Sequence, residues 1–143
     1  MKIKILVIGK LKELQFKDKI NQYLKWIKID YPIELVILKE RKEKELIKII
    51  SKHISSKDIL FCLSEEGVQY NSVKFSEFIH TVNRNLVFLI AGPDGHFKLI
   101  KDKSDEILSL SKFTFPHEMA TLILTEQIFR SISIQKGSKY HRV

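Results

Sequence analysis

The sequence has little of the residue types that build cross-linked or metal-bound proteins. Its 143 residues include a single cysteine, Cys62, which excludes an internal disulfide and a multi-cysteine metal site. Because Cys62 lies within an apolar run, we expect a buried thiol. His53, His80 and His96 have no metal-ligand spacing with one another or with Cys62, so we expect no metal site.

Long apolar runs are also missing. No stretch approaches the roughly 20 apolar residues that a membrane-spanning helix needs. The first ten residues, "MKIKILVIGK", alternate as a strand does and lack the longer apolar region and cleavage site of a signal peptide. We therefore expect a cytoplasmic protein with no membrane partner.

The glycine-rich loops that hold phosphates in many α/β enzymes are absent. Neither G-x-x-x-x-G-K-[ST] nor G-x-G-x-x-G occurs in the sequence. Their absence disfavours a nucleotide-using enzyme of flavodoxin-like shape, a hypothesis that binding of a flavin or a nucleotide would revive.

Acidic residues are fewer than basic ones. There are 17 Asp and Glu against 25 Lys and Arg, which gives a net charge of +8. Such an excess attracts polyanions, whether nucleic acid or an anionic membrane surface. A lysine-rich source organism would produce the same balance, so charge alone leaves both interpretations open.

The hydrophobic pattern alternates between strands and helices, and the length fits one domain over residues 1–143. This alternation predicts an α/β fold with a parallel sheet and helices on both faces. The predicted strands are 2–8, 31–39, 57–64 and 85–92, the predicted helices are 13–29, 40–54, 71–83, 98–107 and 116–134, and 108–115 is an extended stretch.

The last predicted helix, "PHEMATLILTEQIFRSISI", is apolar on more than one side. Pro116 stands at its start, where proline fits best. One apolar stripe suffices to dock a helix on a sheet. The pattern indicates either a subunit interface or a deeply buried helix of a monomer.

The turn "AGPDG" (91–95) contains three of the eight glycines and prolines of the chain and follows the fourth strand. Ligands of open parallel sheets bind beyond the carboxyl ends of strands. Gly92 allows a ligand to approach the backbone, and Pro93 fixes the turn. A ligand cradle and an ordinary tight turn both fit.

Three segments together narrow the function. They are "CLSEEG" (62–67), the turn 91–95 and "LSLSKFTFPHEMA" (108–120), followed by "EQIFRSISI" and the terminal "YHR". This ensemble resembles, from end to end, the RlmH family of SPOUT-superfamily methyltransferases. That family methylates N3 of a pseudouridine in 23S ribosomal RNA of the large subunit, on the assembled ribosome, with S-adenosylmethionine as cofactor.

The resemblance implies a particular architecture. The C-terminal part of the sheet is expected to form a trefoil knot that holds the cofactor, an exception to the usual rules of chain connection. The protein is expected to be a homodimer in which the last helix and tail of the partner complete each active site. Such an interface would explain the apolar sides of residues 116–134.

The resemblance also implies which residues bind the cofactor. Small residues and an apolar slot suit adenine and ribose. The sequence departs from the family at Ala91, where the loop usually has a second glycine. The implied cofactor-binding residues are Leu63, Gly92, Leu110, Ser111, Lys112, Phe113, Thr114 and Phe115.

The implied catalytic residues are His117, Arg130, Tyr140, His141 and Arg142. Arg130 and Arg142 are expected to hold phosphate or the base carbonyl, and His141 or Tyr140 to orient the uracil ring and help remove its proton. Simpler roles stay open: His117 as a residue that packs at a helix start, and the tail as a frayed terminus.

A noncatalytic RNA- or ribosome-binding α/β protein remains the alternative function. It would bind RNA tightly and would not bind S-adenosylmethionine. If RNA is the partner, basic side chains near the site are expected on its RNA face. They are Lys10, Lys12, Lys136, Lys139 and Arg142.

Overall fold

A computed structural model describes residues 1–92, 95–96 and 98–142. Pro93, expected to fix the turn, lies outside the described residues. The strands are β1 (Ile3–Ile8), β2 (Ile33–Leu38), β3 (Ile59–Gln69), β4 (Leu86–Ile90) and β5 (Glu106–Ser109). The helices are α1 (Leu14–Ile27), α2 (Glu43–His53), α3 (Ser72–Val82), α4 (Lys98–Lys103) and α5 (His117–Lys136).

The strands form one sheet in the order β2-β1-β4-β3-β5. Every pairing is parallel, with Ile5 of β1 between Leu35 of β2 and Phe88 of β4. The carboxyl ends of these strands therefore meet at one edge of the sheet. The predicted α/β class is confirmed, whereas the trefoil knot stays a prediction.

Both faces of the sheet are covered by helices, as predicted. Because side chains alternate along a strand, Ile5 and Val7 enter one core while Leu6 and Ile8 enter the other. The first core packs under α1, α3 and α5, and the second packs under α2 and α4. Cys62 lies in the second core, where burial raises the pKa of its thiol to about 11, so the predicted buried thiol is confirmed.

The third strand is longer than predicted. It continues past residue 64 to Gln69 and pairs with β5, with an irregularity between Leu63 and Val68. A Cβ at Gly67 would lie 2.3 Å from the Ile107 carbonyl oxygen, so only glycine allows this close approach. Hydrophobic patterning did not predict this part of the strand, because most of its residues are polar.

The helix predicted over 98–107 was too long. It ends at Lys103, and Glu106 and Ile107 instead pair with Phe61 and Cys62 in the sheet. Pairing with a buried strand outweighs the helical propensity of this charged segment. Pro116 precedes the last helix as its cap residue, with an extended ψ of 148°, and is not its first helical residue.

Helix α5 packs between α1 and α3, with Leu124, Ile128 and Ile132 buried toward the sheet. Met119, Ile123, Glu126 and Arg130, at spacings of four, three and four, share the opposite side. Met119 is 40% exposed there, and the other three are half-buried. A single chain thus buries one side of α5 and leaves the other partly accessible.

Within the described ranges, no helix is both long and apolar enough to cross a membrane.

Candidate active site

A cavity of about 740 Å³ opens where the buried parts of β3 and β4 end. This volume lies in the range of small-molecule sites. Seven of the eight residues expected to bind the cofactor line it, because the irregular part of β3 and the loops after β4 and β5 converge at this edge. These are Leu63, Gly92, Leu110, Ser111, Phe113, Thr114 and Phe115.

Lys112 is the eighth, and its exposed side chain is not part of the cavity wall. The loop that carries it is held by its own serines: the Ser109 hydroxyl donates to the Ser111 carbonyl (2.8 Å), and the Phe113 amide donates to the Ser111 hydroxyl (3.1 Å). These bonds fix the backbone of the loop beside the cavity.

Gly92 lies where the backbone after β4 passes close to the end of β1. A Cβ at Gly92 would lie 2.5 Å from Glu40 Oε1 and 2.9 Å from the Ile8 carbonyl oxygen. The carboxylate can move, but the carbonyl belongs to a buried strand. Glycine is therefore required at this point for the loop to keep its place.

His96 is a cavity residue that sequence reasoning considered only as a metal ligand. The residue is half-buried, and its two ring nitrogens are buried and form no well-aligned hydrogen bond with the described residues, although the Leu63 and Leu89 backbones lie near them. Burial lowers the pKa of His96 to about 4, so the imidazole is neutral at physiological pH. Its place directly after the turn was the only signal in the sequence.

Two carboxylates, Glu65 and Glu66, also line the cavity. Glu66 pairs with Lys101 at 3.5 Å. The pair is well exposed on the Glu66 side and contributes little to stability. Within the described residues, no group of three or more His, Cys, Asp or Glu side chains is arranged to hold a metal ion.

His117 lies at the cavity end of α5, where it packs at the helix start, and its catalytic role stays a prediction. Its ring lines the cavity, and its Nε2–H donates to the Lys10 carbonyl at 2.7 Å. The ring also packs on Gly9, which has a positive φ of 105°. The next residue, Glu118, accepts hydrogen bonds from the amides of Lys12 and Glu13 at the start of α1.

Three of the predicted catalytic residues, Arg130, Tyr140 and His141, gather farther along α5 with two residues that were not predicted, Tyr23 and Glu126. We call these five residues the tail cluster. Arg130 Nε and Nη2 donate to Glu126 Oε1 at 2.9 and 2.5 Å, and Tyr140 donates to the same oxygen at 3.0 Å. The Arg130 guanidinium lies 4.9 Å from the Tyr140 ring centroid, a cation–π contact.

Contacts within the tail cluster raise the pKa of two of its members, Arg130 and Tyr140. Hydrogen bonding to Glu126 raises the pKa of Arg130. Burial, together with hydrogen bonds to Tyr23 and Glu126, raises the pKa of Tyr140, so its hydroxyl keeps its proton. Arg130 Nη1 donates to His141 Nδ1 at 3.1 Å, which leaves the proton of a neutral His141 on Nε2. Tyr140 is thus a hydrogen-bond donor and a poor base.

The cavity and the tail cluster are far apart within one chain. Thirteen helical residues separate His117 from Arg130, a rise of about 20 Å. The cavity lining includes none of Arg130, Tyr140 and His141, and Arg142 is exposed. The structure therefore brings the predicted cofactor residues and His117 together and holds the other predicted catalytic residues elsewhere.

The similarity to known proteins extends along almost the whole chain. The family model described as "Predicted SPOUT methyltransferase" matches residues 1–141. A Prochlorococcus marinus (strain MIT 9301) protein named Ribosomal RNA large subunit methyltransferase H is 46% identical over 142 residues, covering 99% of this chain and 96% of the relative. A Streptococcus uberis protein of the same name is 37% identical, covering 99% of this chain and 100% of the relative.

The fold has a solved counterpart. The structure of a probable methylase family protein from Haemophilus influenzae Rd KW20 superposes with a TM-score of 0.58. The match covers 99% of this chain and 70% of that chain at 10% sequence identity, which supports the fold alone.

Proposed function

The chain belongs to the SPOUT methyltransferase family, and we propose that it methylates N3 of a pseudouridine in 23S ribosomal RNA. Its relatives carry the name of a large-subunit ribosomal RNA methyltransferase. The proposed cofactor is S-adenosylmethionine, the proposed substrate is the RNA of the assembled ribosome, and the proposed location is the cytoplasm. The cavity at the strand ends, lined by seven of the eight expected cofactor residues, is the observation that carries this function.

The cavity fits the proposed cofactor. Leu63 and Leu110 offer apolar walls, and the backbones of the loops at Gly92 and 110–115 offer donors and acceptors for adenine and ribose. His96 adds a neutral imidazole whose nitrogens form no well-aligned hydrogen bond with the described residues. When bound, the cofactor supplies an electrophilic methyl group on a sulfonium.

The residues of the chain must then align the acceptor and remove its proton. A displacement at a methyl group requires N3 to lie in line with the bond that breaks, and positioning supplies much of the rate. The guanidiniums of Arg130 and Arg142 suit a base carbonyl or a phosphate. His141 and Tyr140 suit the edge of a uracil ring, with Tyr140 as a donor.

We further propose that two chains share each active site. An antiparallel contact along the accessible side of α5 is self-complementary, as a two-fold axis requires. Its midpoint near Ile123 would set the His117 end of one helix beside the Arg130 end of the other. The tail cluster of one chain would then lie near the cavity of its partner, which resolves the separation of about 20 Å.

The rim of the cavity suits an RNA partner. Lys10 and Lys12 are exposed beside His117, and Lys112 is exposed on the loop after β5. Phe113 is 79% exposed in the same loop, where an aromatic ring can stack on a base. Lys136, also expected on the RNA face, instead pairs with Asp30 at 3.2 Å.

Methyl transfer from labelled S-adenosylmethionine to ribosomes that lack this methylation tests the proposal. We expect label on a single pseudouridine of the large-subunit RNA, with assembled ribosomes accepting more label than free RNA. Cofactor binding without transfer to any ribosomal particle would redirect the substrate assignment. Tight RNA binding with no binding of the cofactor would instead support the noncatalytic alternative.

A further inference from the structure

The C-terminal tail is folded back along α5 by a defined turn. Gly137, with a positive φ of 71°, ends the helix, and the Ser138 amide donates to the Ser133 carbonyl at 3.0 Å. The Tyr140 amide donates to the Ser138 hydroxyl at 3.4 Å. This turn reverses the chain, but chain ends fray unless side chains hold them.

One carboxylate holds the tail to α5. Glu126 accepts two bonds from Arg130 and one from Tyr140 on Oε1, and a further bond from Gln127 Nε2 on Oε2 at 2.6 Å. Gln127 is held in turn by the Ser72 hydroxyl of α3 at 2.7 Å. The Glu126 side chain is only 17% exposed, which strengthens bonds to its charge.

A second hold comes from α1. The Tyr23 ring packs against Trp26 and Phe129, with ring centroids 5.6 and 5.9 Å away, and this packing fixes its hydroxyl. That hydroxyl lies 3.4 Å from the Tyr140 hydroxyl. Because Tyr140 already donates to Glu126, Tyr23 is the donor between the two tyrosines.

We propose that Tyr23 and Glu126 are positioning residues that hold Tyr140 and His141 in one arrangement for methyl transfer. The family resemblance assigned a role to neither residue, although Glu126 begins the segment "EQIFRSISI" on which the resemblance partly rests. Glu126 orients His141 through Arg130, which contacts both. The inference rests on the proposed function of the tail.

Two conservative variants and one control test this inference. Glu126→Gln keeps the size of the side chain and removes its charge, and Tyr23→Phe keeps the packed ring and removes its hydroxyl. Tyr31→Phe is the matched control, because the Tyr31 hydroxyl also bonds to α5, at Gln135 (3.3 Å), outside the tail cluster. All three are compared with the wild-type dimer for thermal unfolding and cofactor affinity.

We expect the cofactor Kd to stay within about twofold in every variant, since none of the three residues lines the cavity. The kcat should fall about 100-fold in Glu126→Gln and about tenfold in Tyr23→Phe, with Tyr31→Phe unchanged. Trypsin should cut after the exposed Lys139 at least about fivefold faster in the first two variants, because the tail is released.

Tail cleavage requires no catalysis, so it separates this inference from the proposed function. If the wild-type protein transfers no methyl group, cleavage still decides whether Tyr23 and Glu126 hold the tail. Wild-type cleavage rates in both variants overturn the inference. Faster cleavage with wild-type kcat overturns it as well, because the arrangement would then not matter to the reaction. Should Glu126→Gln unfold, Tyr23→Phe carries the test alone.

Discussion

The two ends of α5 are built in different ways. At its start, the irregular part of β3 and the loops after β4 and β5 form a cavity. Gly92 allows the close backbone approach there, and a hydrogen bond from Ser109 holds the loop after β5. Near its end, side chains from α1, α5 and the tail form a hydrogen-bonded cluster around Glu126. A backbone-lined cavity suits binding of a small molecule, and a cluster of polar side chains suits contact with a reacting base. The difference is consistent with our proposal that cofactor binding and chemistry are assigned to separate regions of the chain.

Removal of the imidazole from the tail cluster should have the largest effect. His141→Ala is expected to lower kcat by about 1,000-fold or more and to leave the cofactor Kd near the wild-type value, because His141 does not line the cavity of its own chain and its proposed contact is with the base. Single-turnover methylation and calorimetric titration of the cofactor measure the two quantities. Full activity in this variant would remove His141 from the mechanism.

A change in the cavity should weaken cofactor binding, the quantity that His141→Ala leaves unchanged. Gly92→Ala places a Cβ 2.9 Å from the Ile8 carbonyl, so the loop must shift and the cofactor Kd should rise at least about tenfold. Ala91→Gly in the same loop is the matched control and should stay within about threefold. Equal affinity of Gly92→Ala and Ala91→Gly for the cofactor would contradict the role assigned to this loop.

Burial of His96 in the cavity should make the free energy of unfolding depend on pH. Its pKa is about 4 when folded and 6.5 when exposed, so below pH 6.5 the unfolded state binds a proton that the folded state does not. The free energy of unfolding should therefore fall as the pH drops from 6.5 to 4, by about 2 to 3 kcal/mol at pH 4.5. Urea unfolding of wild type and His96→Leu checks this, since the variant should lose that part of the pH dependence. Parallel pH curves would show that His96 is not buried as described.

Lys112 should give the smallest effect. Its side chain is exposed outside the cavity, so Lys112→Ala is expected to change the cofactor Kd by less than about twofold. A loss in affinity for ribosomes at low salt, which the same variant should show, would reflect contact with phosphate. A tenfold loss of cofactor binding would assign the lysine to the cavity.

The fold was largely predictable from hydrophobic periodicity, and the errors of that prediction have physical causes. Residues 65–69 are mostly polar, and their place in β3 depends on the fit of Gly67 against Ile107, a contact between distant segments. Glu106 and Ile107 were predicted as helix because local propensity does not record a neighbouring strand.

The candidate site was only partly accessible to sequence reasoning. Two local sequence patterns, the turn after β4 and Pro116, indicated where the cavity lies. The residues expected to bind the cofactor were instead implied by the family resemblance. Glu126 lies in a segment that the resemblance includes, but neither its role nor that of Tyr23 was predictable, because both roles arise from contacts with Tyr140 across 14 and 117 positions of the chain. Such contacts appear only when the chain is folded.

Complementation within a dimer tests most directly whether the two regions meet across a subunit interface. Gly92→Ala and His141→Ala chains with different affinity tags are co-expressed, and the mixed dimer is purified through both tags. At a cofactor concentration well below the Kd of the Gly92→Ala protein, we predict about half of the wild-type activity, because one of the two sites combines an intact cavity with an intact tail. Activity no higher than that of the two parent dimers would contradict the account, since cavity and tail would then have to come from the same chain.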